Sequence, residues 1–400
     1  MISLDHSLTS LYNEDSEKKL AIIPYYPTSN TSCRFPIHAP PLPEYVLHHL
    51  EGMRTAFIAG PAIAVRTKLS PDPELINYWK SHLKSCPKFT VVPEGCPAPH
   101  EEGLKHIVLF PHPDLSDDQY LVDPHVHYQL LSKEAILESK VKQPYSYIIN
   151  TSYESIKTIK IPFVIKSTHG LSGDGTWLIH NEKDRDNLIT IIQERRYERM
   201  IVSDLVDDIV SNFCLQFYVS KQEGRDKYLG TTRQVVDVCG GWEGSNINFK
   251  EQEELKKKLS PVTKHLSNYL RSKGYFGVVG VDVLETKKGE LLVIDLNPRV
   301  NGSTSLCLMS NHMSRIGRNA MSYIGEVKFV GMQPHDVMSC LKPHLDDYRI
   351  VILGLANLED ESATSCYLAL SAEDAAGLND TEEFVKRASR CRILPKQSDI

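Results

Sequence analysis

The sequence predicts an α/β (α+β) protein in which a small parallel sheet is followed by antiparallel strands. Three observations support this fold class. A chain of 400 residues is too long for a single small core. In the first 130 residues, short apolar runs alternate with helical patterns, which is typical of a parallel sheet. Farther along, two β-rich runs at 278–284 and 291–296 flank a Lys-Lys-Gly turn and indicate an antiparallel hairpin.

The composition is that of an ordinary globular protein, with 41% hydrophobic and 24% charged residues. A net charge of −6 argues against non-specific nucleic-acid binding, which requires a basic surface. The nine cysteines are scattered without a CxxC pair. We therefore expect reduced thiols in a cytoplasmic protein, and neither a disulfide framework nor a zinc module. The N-terminus has no secretory-signal pattern, and no apolar run approaches the ~20 residues that span a membrane.

In the N-terminal part, the apolar pattern predicts strands and helices in alternation. The predicted strands are 19–26, 55–59, 89–92 and 106–110, and the predicted helices are 45–53 and 73–83. The next segment, 111–127, carries His112, His125 and His127 together with several aspartates. Their spacing matches no known set of metal ligands, so we favour a surface loop over a metal site.

The most informative stretch is the predicted hairpin and the residues that follow it. Because side chains alternate along a strand, Asp295, Asn297 and, with continued extended backbone, Arg299 share one face, and the even-numbered residues of 292–296 share the other. Asp282 lies on the neighbouring strand. Two carboxylates and an amide oxygen suit a hard cation such as Mg²⁺ or Mn²⁺, and a guanidinium suits a phosphate. The alternative is an ordinary polar face, although charges within apolar strands are costly unless they are paired or bind a metal.

A second group of residues has the character of a phosphate site. An apolar strand at 160–166 ends in Lys166, and a loop with glycines at 170, 173 and 175 follows. Glycines let backbone N–H groups approach an anion, although the order is neither a dinucleotide fingerprint nor a Walker A loop. Lys133 lies near the start of a predicted helix, where a positive charge is unfavourable because of the helix dipole. It is either a ligand contact or a solvated lysine. Arg233 lies in a β-rich run and is predicted to grip a substrate carboxylate or the phosphates.

Together, residues 131–305 resemble the ATP-grasp superfamily of carboxylate–amine ligases. The Asp-Leu-Asn-Pro-Arg run from Asp295, thirteen residues after Asp282, is the most specific part of the resemblance. It implies the ATP-grasp fold with ATP and Mg²⁺ or Mn²⁺ as cofactors, and Arg299 and Arg233 as catalytic residues. The implied metal ligands are Asp282, Asp295 and Asn297. The implied ATP contacts are Lys133, Lys166, Ser172, Gly173, Ser203, Asp204, Leu205, Val206 and either Asp207 or Asp208.

Two positions depart from the family pattern, because Asp295 and Ser203 stand where the family usually has glutamate and an acidic hinge residue. The chain is predicted to divide into an N-terminal α/β domain (1–130), a small lobe with flap and hinge (131–220), a large lobe with the metal site (221–335) and a C-terminal α/β extension (336–400). A helix is predicted near 314–323.

The resemblance implies an ATP-dependent ligase. A substrate carboxylate would take the γ-phosphate to form an acyl phosphate, and an amine would then displace phosphate. Asn301, Gly302 and Ser303 either contact a substrate or form a plain turn. The expected partners are a small carboxylic acid and an amine, with an amino acid or small peptide favoured; no nucleic acid or membrane is expected, and a homodimer is left open. The alternatives are a kinase on the same fold and a non-catalytic ATP-binding protein.

Overall fold

The computed structural model describes residues 1–27, 34–37, 41–92, 103–113, 115–170, 174–195, 197–237 and 240–389. Within these ranges the strands form three sheets, which follow one another along the chain. No helix in these ranges is long and apolar enough to cross a membrane.

The N-terminal region is a small parallel α/β unit, as predicted. Its elements are α1 (Leu8–Tyr12), β1 (Lys19–Ile23), α2 (Gly52–Phe57), β2 (Ala64–Thr67), α3 (Pro73–His82), β3 (Lys88–Val91), β4 (Leu104–Val108) and α4 (Pro124–Leu131), with a π-helical turn at Val46–Glu51 and a 3-10 turn at Asp117–Gln119. The parallel strands have the order β3-β2-β1-β4. The order reverses between β1 and β4, and ligand crevices of such sheets lie at the carboxyl ends of the strands at this point. Tyr26 follows β1 at that end.

Two predictions in this region were wrong. The apolar run at 55–59, predicted as a strand, lies in and just after α2, and every residue of α2 is buried. A continuous apolar run gives no periodicity that separates a buried helix from a strand. The segment expected to be a surface loop contains α4, which Asp123 caps by accepting the N–H groups of His125 and Val126 at 2.8 and 3.1 Å. His127, on this helix, is buried.

The second sheet is a small antiparallel lobe. Its elements are α5 (Glu134–Ser139), β5 (Ser146–Asn150), α6 (Tyr153–Lys157), β6 (Phe163–Ser167), β7 (Thr176–Ile179), α7 (Glu182–Arg195) and β8 (Arg199–Asp204). The strand order is β5-β8-β6-β7. Leu188 and Ile192 of α7 join Phe163 and Ile165 of β6 in one apolar core, which covers one face of this sheet.

The third sheet is the largest and carries the predicted hairpin. Its elements and their helices are β9 (Ile209–Val219), β10 (Lys227–Val236), β11 (Trp242–Asn248), α8 (Gln252–Ser272), β12 (Gly277–Thr286), β13 (Leu291–Asn297), α9 (Thr304–Arg315), β14 (Ala320–Val330), α10 (Pro334–Asp346), β15 (Ile350–Leu358), β16 (Ala363–Ala372) and α11 (Ala375–Ala388). The eight strands have the order β13-β12-β9-β10-β11-β14-β16-β15. The helix α8 buries Leu255, Leu259, Val262 and Leu266 against one face.

The large sheet extends beyond the predicted limits at both ends. β9 pairs with β12 along its length, so the chain enters this sheet soon after β8 rather than at residue 220. The helix predicted at 314–323 was wrong, because α9 ends at Arg315 and β14 begins at Ala320. The C-terminal strands β15 and β16 complete the same sheet.

The N-terminal unit packs against these last strands. The indole of Trp79 on α3 donates to the carbonyl of Ile352 on β15 at 2.9 Å. A Cβ added to Gly354 would lie 2.8 Å from the carbonyl oxygen of Leu50. Leu50, Trp79 and Ile352 belong to one buried core, so the beginning and the end of the described chain are joined by apolar packing.

Candidate active site

The β12–β13 hairpin places the two predicted carboxylates side by side. Asp282 is the direct cross-strand partner of Asp295. The next pair is Val283 with Val293, so Ile294 is the extra residue of a β-bulge. The bulge breaks the alternation predicted for 292–296, and Val293 instead joins Leu296 in the core under α8.

The bulge also turns the backbone of Ile294 toward the small lobe. Lys166, near the end of β6, donates from Nζ to the carbonyl of Ile294 at 2.6 Å. This contact joins the two antiparallel sheets across the cleft between them. Burial lowers the pKa of Lys166, and the opposing effect of the nearby Asp295 carboxylate is smaller.

The charges around the hairpin are unevenly compensated. Lys133 forms an ion pair with Asp295, and both side chains are mostly buried. Burial by itself would raise the pKa of Asp295, but Lys133 and Lys166 outweigh it and the pKa lies below its usual value. Among the described residues Asp282 forms no ion pair, and the lowering effects of Cys214, Lys133 and Lys166 on its pKa are smaller than the raising ones. Burial, with the Asp295 carboxylate adding to it, raises the pKa of Asp282 to about 7.

Asn297 and Arg299 extend the row of polar side chains that begins with Asp282 and Asp295, and we call these four residues the metal wall. Asn297 donates from Nδ2 to Asp295 Oδ2 at 3.2 Å, and its Oδ1 accepts from Arg299 Nη2 at 3.1 Å. Arg299 is 8% exposed. The structure therefore brings Asp282, Asp295, Asn297 and Arg299 together, with Lys133 and Lys166 opposite them.

This donor set fits a divalent cation. Two adjacent buried carboxylates repel one another, which is part of the reason for the raised pKa of Asp282, and a cation between them would remove that cost. The three predicted ligands offer carboxylate and amide oxygens, the type that Mg²⁺ and Mn²⁺ prefer. Among the described residues, no group of three or more His, Cys, Asp or Glu side chains is arranged for a metal. The Asn297 amide lies next to Asp295 and stays the predicted third ligand.

Among the described residues, the three histidines of the 111–127 segment belong to no cluster of metal ligands, and two of them contact the backbone. His112 Nε2 lies 3.0 Å from the carbonyl of Tyr25, and His127 Nε2 lies 2.9 Å from the carbonyl of Pro298. Both rings are buried and engage the backbone. The structure thus uses His112 and His127 as hydrogen-bonding core residues.

The glycine loop is described at its two ends. A Cβ on Gly170 would lie 2.2 Å from the carbonyl oxygen of Asp174, and one on Gly175 would lie 2.2 Å from Ser167 Oγ. Gly175 also has a φ of +84°. Both positions therefore require glycine. The predicted phosphate contacts Ser172 and Gly173 lie outside the described residues.

The predicted hinge joins the small lobe to the large sheet. Ser203 and Asp204 end β8; the Ser203 hydroxyl is 2.8 Å from that of Ser146, and Asp204 N donates to the carbonyl of Tyr145 at 2.9 Å. Residues 205–208 cross to β9, where the carbonyl of Asp208 accepts from Lys287 N at 2.8 Å. Leu205 and Val206 are half-buried, and so is Asp208, whereas Asp207 is exposed. The segment lies where a nucleotide hinge is expected, and its contacts with adenine and ribose stay predictions.

Arg233 is not brought to this group. Its cross-strand partner on β9 is Phe213, which packs under α8, whereas the partner of Asp282 on β9 is Cys214. Arg233 donates to Ser211 Oγ at 3.0 Å and pairs with Glu251 at 2.7 Å. Neighbouring residues of a strand point to opposite faces, so the catalytic role predicted for Arg233 is corrected to that of a charge on the far side of the sheet.

The Asn301–Ser303 turn lies beside the metal wall, but its polar side chains form hydrogen bonds within the protein. Asn301 Oδ1 accepts from Gln216 Nε2 at 2.7 Å and from Ser303 N at 3.1 Å. A Cβ on Gly280 would lie only 2.0 Å from Asn301 Nδ2. The Ser303 hydroxyl is buried and lies 2.8 Å from that of Ser245. Gly302 packs on Trp242, where an added Cβ would come within 2.3 Å.

Sequence reasoning missed the polar side chains of β9. Asn212, Cys214 and Gln216 alternate with Phe213, Leu215 and Phe217. The apolar set is buried under α8, so the polar set faces the same side as Asp282. Within the described part of the chain, the buried Oδ1 of Asn212 has no hydrogen-bond partner. The period-2 alternation of this strand was the signal that identifies these residues.

Comparisons with known proteins agree with this geometry. Residues 144–297 match the family described as L-aspartate–L-methionine ligase, ATP grasp. This match confirms the predicted resemblance to the ATP-grasp carboxylate–amine ligases. The butirosin acyl-carrier protein–L-glutamate ligase of Niallia circulans is 22% identical over 298 residues, which cover 69% of this chain and 70% of that relative.

Solved structures share the fold of this chain. N5-carboxyaminoimidazole synthetase from Staphylococcus aureus, complexed with ADP, has a TM-score of 0.52 at 13% identity and covers 84% of this chain and 92% of its own. N5-carboxyaminoimidazole ribonucleotide synthetase from Thermus thermophilus has a TM-score of 0.51 at 12% identity, over 83% and 93%. The predicted fold class and enzyme class are confirmed: ATP-grasp ligases use ATP to join a carboxylate to an amine.

Proposed function

We propose that this ATP-grasp ligase joins the carboxylate of a small acid to the amine of an amino acid or small peptide, through an acyl phosphate, with release of ADP and phosphate. The observation that supports it most is the pair of buried carboxylates, Asp282 and Asp295, with Lys133 and Lys166 facing them across the cleft and Arg299 beside them. A wall of this kind is suited to a polyphosphate with its cation.

The residues would share the work as follows. Asp282, Asp295 and Asn297 would hold Mg²⁺ or Mn²⁺, which supplies the positive charge that lets a carboxylate approach the phosphate chain. Lys166 and Arg299 would add fixed cations at the cleft between the two sheets. Lys133 now neutralises Asp295, and a bound nucleotide would offer it phosphate oxygens instead.

The loop 170–175 and the hinge 203–208 would complete the nucleotide site. The loop follows Lys166 directly and would cover the phosphates, so that the acyl phosphate meets the amine before it meets water. The hinge would hold the adenine by backbone groups and the ribose by Asp207 or Asp208. The turn at Asn301–Ser303 would border the carboxylic acid, since it is packed against Gly280 on the strand that carries Asp282.

The choice of an amino acid follows from the relatives. The matching family is described by two amino acids, and the curated relative is named for L-glutamate. Both names describe joining of an amino acid to another group, and we extend this class to the present chain. A homodimer and a cytoplasmic location stay predictions.

The test is a screen for ADP release with amino acids and small carboxylic acids, singly and in pairs, with mass detection of products. The proposal expects an amide with ADP and phosphate from one pair of substrates. The Asp295→Asn and Asn297→Ala variants should lose ~10²-fold or more in turnover, while Asp360→Asn, on an exposed turn, should not. A stable phosphorylated product would indicate a kinase instead, and tight ATP binding without turnover would indicate a sensor.

A further inference from the structure

Arg299 is held by a residue from outside the ATP-grasp lobes. Its Nη1 donates to the hydroxyl of Tyr26 at 2.6 Å, and its guanidinium carbon lies 5.3 Å from the centre of the Tyr26 ring. Tyr26 is 7% exposed and follows β1 of the N-terminal sheet. Nη2 of the same guanidinium donates to Asn297 Oδ1. The group is therefore fixed from two sides, once by the N-terminal unit and once by the metal wall.

The backbone just before Arg299 is held in the same way. His127 on α4 is 4% exposed, and its Nε2 lies 2.9 Å from the carbonyl of Pro298. A carbonyl only accepts hydrogen bonds, so Nε2 is the protonated nitrogen of this ring. Burial lowers the pKa of His127 to about 4, so the ring is neutral near pH 7. Tyr275 packs against it with ring centres 5.8 Å apart.

We propose that Tyr26 and His127 are positioning residues of the reaction, which set the direction of the Arg299 guanidinium from the N-terminal unit. The proposal rests on the proposed function, because it takes Arg299 as a group that faces the phosphates. A guanidinium offers five N–H groups in a rigid plane. Once Tyr26 and Asn297 have fixed that plane, the remaining N–H groups of Arg299 point in one direction. Misplacement of a catalytic group by about 1 Å costs about 10²-fold in rate.

The first test is Tyr26→Phe, which removes the hydroxyl and keeps the ring. Loss of a hydrogen bond to a charged group predicts a fall in kcat of about ten- to a hundredfold, with KM for ATP within about twofold. The matched control is Tyr120→Phe, which removes another buried hydroxyl of the N-terminal unit that contacts the carbonyl of His112. Both variants should unfold at similar temperatures, and only Tyr26→Phe should lose kcat.

The second test separates positioning from stability. In an Arg299→Met background, Tyr26→Phe should change the residual kcat by less than about twofold, because the guanidinium that Tyr26 positions is absent. His127→Gln keeps a donor of similar reach and should retain most of kcat, whereas His127→Met should lose about tenfold or more. Equal losses from Tyr26→Phe with and without Arg299, or a wild-type kcat for Tyr26→Phe, would overturn the proposal.

Failure of the proposed function would look different. If the wild-type chain turns over no substrate pair, the ligase proposal fails, and a crystal structure of Tyr26→Phe then decides the positioning role by itself. The proposal requires the Arg299 guanidinium to rotate away from Asn297 Oδ1 in that variant. An unmoved guanidinium would overturn it.

Discussion

Replacing Asp282 by asparagine should make the metal-free protein more stable at high pH while abolishing turnover. The pKa of Asp282 is raised to about 7 from an ordinary value of 3.8. Between these two values the folded chain holds a proton that the unfolded chain has released. Stability from this group is therefore lost as the pH rises from about 4 to 7, and the full penalty is present above 7. An asparagine does not ionise and carries no such penalty.

The size of the effect follows from that difference in pKa. It corresponds to roughly 4 kcal/mol at about 1.36 kcal/mol per pH unit. Part of this difference comes from repulsion by the Asp295 carboxylate, and Asp295 itself ionises more easily when Asp282 is neutral. We therefore expect a gain of about 1–3 kcal/mol in the free energy of unfolding at pH 8 and roughly a third of that gain at pH 5.

Urea unfolding in EDTA at the two pH values measures the gain, and ADP release measures the loss of activity. Saturating Mg²⁺ should reverse the order of stability at pH 8, because the cation stabilises only the chain that binds it well. The control is Asp360→Asn, on an exposed turn, which should leave stability nearly constant at both pH values. An Asp282→Asn variant that is equally destabilised at pH 5 and 8, or that retains turnover, would refute the reasoning.

Further predictions address other parts of the structure. Arg233→Ala should keep kcat within about twofold and cost at most about 1 kcal/mol, since it loses an exposed pair with Glu251 and an exposed hydrogen bond to Ser211; ADP release and thermal unfolding check this. Gly280→Ala should displace Asn301, whose Nδ2 lies 2.0 Å from the added Cβ, and lower kcat/KM for the carboxylic acid by about tenfold or more with little change in KM for ATP. The pKa of His127 is lowered to about 4, so its contribution to stability, present above pH 6.5, is lost as the pH falls through 4. His127→Gln should reduce the pH dependence of the urea unfolding midpoint between pH 6.5 and 4. An unchanged pH dependence would contradict this.

The hairpin from Val278 to Asn297 was predictable because its signals are local. β-branched runs, a turn and alternating polar residues all lie within a few positions of each other. The position of Asp282 on the strand next to Asp295 followed from that pattern, and the structure pairs the two residues directly. The bulge at Ile294 did not, because a bulge depends on the twist and the contacts of the assembled sheet rather than on residue type.

The errors arose where distant parts of the chain decide the structure. Gly52–Phe57 is apolar enough to be a strand, but the structure makes it a helix that packs against β15, far along the chain. Arg233 was assigned to the site from its strand alone, but the face on which it lies is set by its pairing with Phe213. The contact of Tyr26 with Arg299 spans most of the described chain and leaves no local pattern.

The closure of the large sheet by its own C-terminal strands restricts how the enzyme can be dissected. A fragment limited to residues 131–335 would lack β16, so the backbone N–H and C=O groups of β14 that pair with β16 would be exposed. Removing the N-terminal unit would uncover the apolar face that Leu50 and Trp79 now shield. The lobes that carry the candidate active site therefore depend on both flanking regions, so substrate preference in this chain is better changed by substituting side chains than by exchanging flanking segments.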